Sequence, residues 1–145
     1  MPLVDNLVLD KKNSHKRYFV GLSEQQKEVL LRAQLLERED RLLVDLAVRG
    51  RRSHYQIARL IGIDRGNVTR RLRRLSIRLH DPLVVALIDQ DCPLRAELRL
   101  LALEHYLGGK TIRHLADRHE MTLNEVKRAL EYVRGWHRGV RDGGM

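Results

Sequence analysis

The sequence predicts an all-α fold of two tandem helix-turn-helix units, three helices each, packed near right angles, with no significant sheet. Three observations predict it. Apolar residues recur at helical spacing and no stretch alternates convincingly as a strand. Ser, Thr or Asp stands before most helical segments and Gly after several, as helix caps and stops do. Finally, the chain shifted by 58 residues matches itself without a gap: Arg41-Leu42-Leu43 falls on Arg99-Leu100-Leu101, Gly50 on Gly108, and Ser53 on Thr111. Ile57-Ala58 falls on Leu115-Ala116, and Val68, Arg70, Leu72 and Leu75 fall on Val126, Arg128, Leu130 and Val133.

The elements follow in order. Residues 1–22 have no period and carry the basic cluster "KKNSHKR", so they read as a flexible arm. Ser23 opens a helix, with Gln26 completing a capping box. A second helical stretch, "DRLLVDLAVRG", stops at Gly50. Ser53 caps "HYQIARLIG", in which Ile57, Ala58 and Ile61 face inward. Gly62 supplies the positive φ of a sharp turn. Asp64 then caps a helix over Arg65–Leu79 whose Val68, Leu72, Leu75 and Leu79 form one narrow apolar stripe.

"HDPLVVALIDQDCP" reads as a connector with a short helix begun by Asp81 and Pro82, and its apolar run is either core or a dimer contact. A helix from Leu94 to about Leu107 follows, then one capped by Thr111 and a last one capped by Thr122. In the second copy Glu120 stands where the first has its turn glycine. The expected organisation is an arm at 1–22, a first unit at 23–80, a connector at 81–92, a second unit at 93–137 and a disordered tail at 138–145.

Composition bounds the function. Of 145 residues 43% are hydrophobic, enough for a core, while only one Trp, four Tyr and one Phe are present. The first residues form no secretory peptide, the run from Pro82 to Ile88 is too short to span a bilayer, and a single cysteine, Cys92, excludes an internal disulfide framework. A cytoplasmic, nucleoid-associated protein is expected. The net charge of +9 is concentrated: residues 51–80 hold nine arginines against one acid, Asp64. A basic patch so localised is the footprint of a polyanion partner.

The stretch "DRGNVTRRLRRL" carries that patch. Its helix admits three readings: a solvated face, a membrane-surface helix and a DNA-reading helix. The narrow stripe, already used by the fold, argues against the membrane, and charge and motif together favour DNA. In a helix-turn-helix the second helix lies in the major groove. Arg65, Gly66, Thr69 and Arg70 then meet base edges, with Asn67 and Arg73 beside them. Arg51, Arg52, Arg74 and Arg78 suit phosphates, and Ser53 with the amides of its helix start suits another. The second copy offers Asn124, Lys127 and Arg128, flanked by Leu123 and Glu131.

No metal site is expected, because His114 and His119 lie five apart, off one face, and no Cys or carboxylate cluster joins them. Cys92 has no His-based pairing, so neither a nucleophile nor a cofactor is expected, and the protein reads as no enzyme. Trp136 and Tyr132 on the last helix read as core or edge packing.

The segment "LLVDLAVRGRRSHYQIARLIGIDRGNVTRRLRRL" resembles region 4 of bacterial RNA polymerase sigma factors of the sigma-70 family. The pattern is a leucine-rich helix, G-x-x-S, I-A-x-x-x-G-I, then V-x-x-x-L. "LSEQQKEVLLRAQLL" resembles the helix before that motif, and "LLALEHYLGGKTIRHLADRHEMTLNEVKRAL" resembles the region more loosely. The resemblance, over residues 23–136, implies contact with an upstream promoter element through Asp64–Arg74 and RNA polymerase core as a partner. No counterpart of the part that grips polymerase core and melts promoters is found in the chain. The expected function is therefore sequence-specific duplex binding in transcription initiation or regulation, by a monomeric pseudo-dimer or a homodimer. Two alternatives stay open: an adaptor that contacts polymerase or a sigma partner through its helix-turn-helix units, and the DNA-binding part of a recombinase or transposase.

Overall fold

A computed structural model describes residues 21–143, so the arm expected at 1–22 lies, except for Gly21 and Leu22, outside the described residues. The fold is all-helical, with eight helices and no strand among the described residues. The chain divides into two compact units after Leu79. None of the described helices is long and apolar enough to cross a membrane.

The first unit contains α1 (Glu24–Ala33), α2 (Arg38–Val48), α3 (His54–Ile61) and α4 (Arg65–Leu79). Ser23 starts α1 with a full capping box: its backbone N–H donates to Gln26 Oε1 at 2.9 Å, and its Oγ accepts from the Gln26 N–H at 3.1 Å. Ser53 and Gln56 repeat that box at α3 with the same distances. The break between α1 and α2 falls at Gln34–Glu37. The core comes from one stripe of each helix: Leu30 and Ala33, Leu43 and Val44, Ile57 and Ala58, Val68, Leu75 and Leu79 are all buried. Ile61 and Leu72, expected inward, are only half-buried. Arg32 Nε donates to the Leu79 carbonyl at 2.7 Å, which ties α1 to the end of α4.

The second unit contains α5 (Pro82–Ile88), α6 (Ala96–Tyr106), α7 (Ile112–His119) and α8 (Leu123–Gly143). The expected connector thus holds a helix, capped by Asp81, whose carboxylate accepts from the Leu83 N–H at 2.9 Å, with Pro82 in its first turn. That helix packs on α6 and α8. Leu83, Leu87, Leu101, Ala102, Leu115, Val126 and Val133 form one buried cluster, with Trp136 against its edge. Tyr132, read with Trp136 as core or edge packing, is exposed. The tail expected to be disordered is helical through Gly143. Gly135, Gly139 and Gly143 sit four apart with open space around them, so they lower helix propensity without removing a packed side chain.

The sequence repeat is a structural repeat. Helices α2, α3 and α6, α7 have bounds 58 residues apart at both ends, and α1 with α5 and α4 with α8 start 58 apart. Both units also turn the same way. Gly50 and Gly108 end α2 and α6 where a Cβ would come within 2.8 and 2.7 Å of the Leu46 and Glu104 carbonyl oxygens, so only glycine fits. The turn after α3 closes through Gly62 at φ 74°, with Ile63 N–H donating to the Ala58 carbonyl at 3.2 Å. The turn after α7 closes through Glu120 at φ 55°, with Met121 N–H donating to the Ala116 carbonyl at 2.9 Å. Each unit therefore places a short helix, a tight left-handed turn and a longer helix in succession, an arrangement compatible with a helix-turn-helix.

Candidate nucleic-acid interface

The candidate interface is the outer face of α4 with the residues before α3. Val68, Leu75 and Leu79 are buried, so the stripe is anchored and the opposite face is turned outward. Arg65, Arg70, Arg73 and Arg74 are exposed, and no carboxylate among the described residues pairs with them. Arg71 differs. Its guanidinium lies 3.1 Å from Asp40 and 3.8 Å from Glu39, so it ties α4 to the start of α2. The six arginines of this helix thus divide into one structural strut, Arg71, four exposed unpaired cations, and Arg78, which is half-buried near the helix end.

The start of α4 has its own geometry. Asp64 Oδ2 accepts from the Asn67 N–H at 3.3 Å and caps the helix. Gly66 leaves room for two neighbours: a Cβ there would meet Asp64 Oδ2 at 2.9 Å and Arg70 Nη1 at 3.3 Å. The Arg70 side chain accordingly lies back across the first turn, as helical side chains lean toward the N-terminus. Asn67 and Gly66 are half-buried.

Thr69 is held twice. Its hydroxyl donates to the Arg65 carbonyl at 3.1 Å, and its oxygen lies 2.8 Å from His54 Nδ1. With the hydroxyl proton already committed, the oxygen accepts from the ring, so the His54 proton is assigned to Nδ1. His54 therefore joins the start of α3 to α4 across the turn. The sequence reading did not single it out, because nothing in helical spacing links residues 15 apart on two helices. The exposed pair Tyr55 and Arg59 on α3 was also missed: Arg59 Nη1 donates to the Tyr55 hydroxyl at 3.3 Å, and its guanidinium lies 5.8 Å from the ring centre.

Before α3 the chain runs through Arg51, Arg52 and Ser53, all exposed. Arg51 adopts φ 51°, and its guanidinium donates to the Gly21 carbonyl. The Ser53 N–H and Oγ are both engaged by Gln56, so for the phosphate expected there the residue has its hydroxyl proton to give.

In the second unit Asn124, Lys127 and Arg128 are exposed on α8 as expected. Their neighbours differ from those on α4. Leu123 stands at the position of Arg65, Ala129 at Arg71, Glu131 at Arg73 and Tyr132 at Arg74. Inside this unit Glu104 takes the structural role of an anchor, with Arg118 Nε at 3.4 Å and His119 Nε2 at 3.1 Å, joining α6 to α7. Among the described residues no group of His, Cys, Asp and Glu is placed to hold a metal ion. No protein-family model, no curated protein and no solved structure matches the chain.

Proposed function

We propose that the protein binds duplex DNA with sequence preference, as a transcription factor resembling sigma region 4, with α4 seated in the major groove. The observation that carries this reading is the row of four exposed, unpaired arginines on α4, inside a segment of nine arginines and one acid. Unpaired guanidiniums are costly to hold side by side and gain most from an anionic surface that matches their spacing. In this reading Arg70 and Arg73 reach base edges, where a bidentate guanine contact discriminates by about 1–3 kcal/mol. Arg51, Arg52 and Arg74 neutralise phosphates. Thr69, its hydroxyl held by His54 and the Arg65 carbonyl, offers its methyl to a thymine methyl instead.

The test is fluorescence anisotropy on random and promoter-containing duplexes across a salt series. Replacing Arg70 and Arg73 by Ala is expected to flatten the sequence preference, and replacing Arg51 and Arg74 to lower the slope of log affinity against log salt by about 0.9 per phosphate contact. An unchanged affinity in the first variant overturns the reading. A second reading, a polymerase- or sigma-contacting adaptor, draws on the second unit: Leu123 is 43% and Tyr132 64% exposed where the first unit has arginines. Recovery of polymerase subunits on the wild-type chain, lost in Leu123→Asp, would support it.

A further inference from the structure

The C-terminal half of α8 carries a feature separate from the interface above. Arg134, His137, Arg138 and Arg141 follow at i, i+3, i+4 and i+7, so they share one helix face. Together with Leu83 at the start of α5 they line one hollow of the second unit. Arg134 and Arg138 are exposed and pair with no carboxylate among the described residues. The acids nearby are spoken for in part. Asp142 lies 3.7 Å from Arg141 Nε, fully at the surface, and Asp81 is occupied by the Leu83 N–H it caps. Burial raises the pKa of the Tyr106 hydroxyl in this unit, with the Arg134 charge opposing the rise and the Asp81 charge adding to it. The Nδ1 of His137 is shielded from solvent and has no hydrogen-bond partner among the described residues, so hydrogen-bond capacity is left over beside the hollow.

We propose that this hollow is a phosphoryl-binding site, in which Arg134 and Arg138 grip a phosphate group from two sides, with Arg141 and His137 closing the ring of donors. Two guanidiniums one helical turn apart offer forked donors to the oxygens of one tetrahedral anion. Leu83 gives the hollow one apolar wall. A phosphate on a free nucleotide and a phosphate in a duplex backbone present the same chemistry. The site stands apart from the arginine face of α4 and needs none of its residues.

Trp136, the only tryptophan, lies beside the site with its ring centre 6.3 Å from that of His137, and serves as reporter. The experiment titrates the full chain with sodium pyrophosphate, following Trp136 fluorescence at constant ionic strength, with sodium chloride as the blank. A saturable response is expected, reduced at least tenfold in affinity in Arg134→Gln with Arg138→Gln and unchanged in Arg113→Gln, a control at an exposed arginine of α7. Both replaced arginines are exposed, and circular dichroism checks that the variant stays helical. A second arm measures duplex affinity of the same double variant. A drop in its salt slope of about two identifies the backbone as the source of the phosphate, and an unchanged slope identifies a free phosphate compound. No response beyond chloride, or an equal response in the double variant, overturns the site.

Discussion

The two units share a backbone and differ in their faces. Helix starts, turn positions and buried positions recur 58 residues on, yet three outward positions of α4 that carry arginine become Leu123, Glu131 and Tyr132 on α8, and the strut Arg71 becomes Ala129. The left-handed turn residues make the same point from within the backbone. The first unit uses Arg51 and then Gly62; the second uses Gly109 and then Glu120, each pair at φ between 51° and 74°. A non-glycine residue in that region costs about 1 kcal/mol, and each unit carries one such residue, at opposite ends of its short helix. The turn geometry is therefore set by the hydrogen bonds and packing on either side of it, with glycine only lowering its cost. Buried positions of the short helices are kept, while most of the charged outer positions of α4 are not.

The widest test of this equivalence is in the core. Ile57→Ala and Leu115→Ala remove fully buried side chains at matching positions. Each is expected to destabilise its own unit by about 2–5 kcal/mol, measured by urea denaturation, and a large inequality would show that the two cores are not equivalent. The faces are expected to separate instead. Arg70→Ala with Arg73→Ala is expected to cost about 2 kcal/mol of duplex affinity, while Arg128→Ala with Glu131→Ala costs less than about 0.5 kcal/mol. Equal losses would mean that both units read DNA.

The turns sharpen the comparison at a smaller scale. Gly62→Ala is expected to cost about 1 kcal/mol, since open space surrounds it and only the backbone conformation resists. Glu120→Gly is expected to recover several tenths of a kcal/mol in the second unit, seen as a higher urea midpoint. The smallest effect concerns the caps. Thr122 and Glu125 cap α8 reciprocally, at 3.0 and 3.1 Å, whereas α4 has Asp64 alone. Hydrogen bonds from the Thr122 backbone N–H and side chain lower the Glu125 pKa. A depressed carboxylate stabilises the fold above its unfolded pKa, and that contribution is lost as pH falls through the folded value. Proton-detected titration of Glu125 is expected to place it below a free glutamate, and Thr122→Ala to return it toward one.

Much of the fold was legible because side chains announce their own roles. Six helices begin at a Ser, Thr or Asp whose oxygen takes a backbone N–H, and all six were read at those residues. The two blurred starts are those of α2 and α6, whose caps are Glu37 and Arg95 and make no side-chain cap bond. The helical tail was misread because its glycines suggested fraying, while Val133 and Trp136 hold the preceding turns against the core. The first helices of the two units went unmatched for another reason: beyond Ser23 and Asp81, Val29 and Leu87, and Leu30 and Ile88, their residues differ in character. At the candidate interface the exposed arginines followed from the stripe opposite them. The bonds of His54 to Thr69 and of Arg71 to Asp40 did not, because they join residues 15 and 31 apart whose meeting depends on how helices cross.

The bond from Arg32 to the Leu79 carbonyl has a kinetic meaning. It joins residues 47 apart, a wide closure for a unit whose other helix pairs are mostly neighbours in sequence. Closing a longer loop costs more chain entropy before any contact rewards it. The neighbouring pairs α1–α2, α2–α3 and α3–α4 are thus expected to form first, through short closures on the fast timescale of local helical folds, with the guanidinium of Arg32 reaching the Leu79 carbonyl last, like a latch.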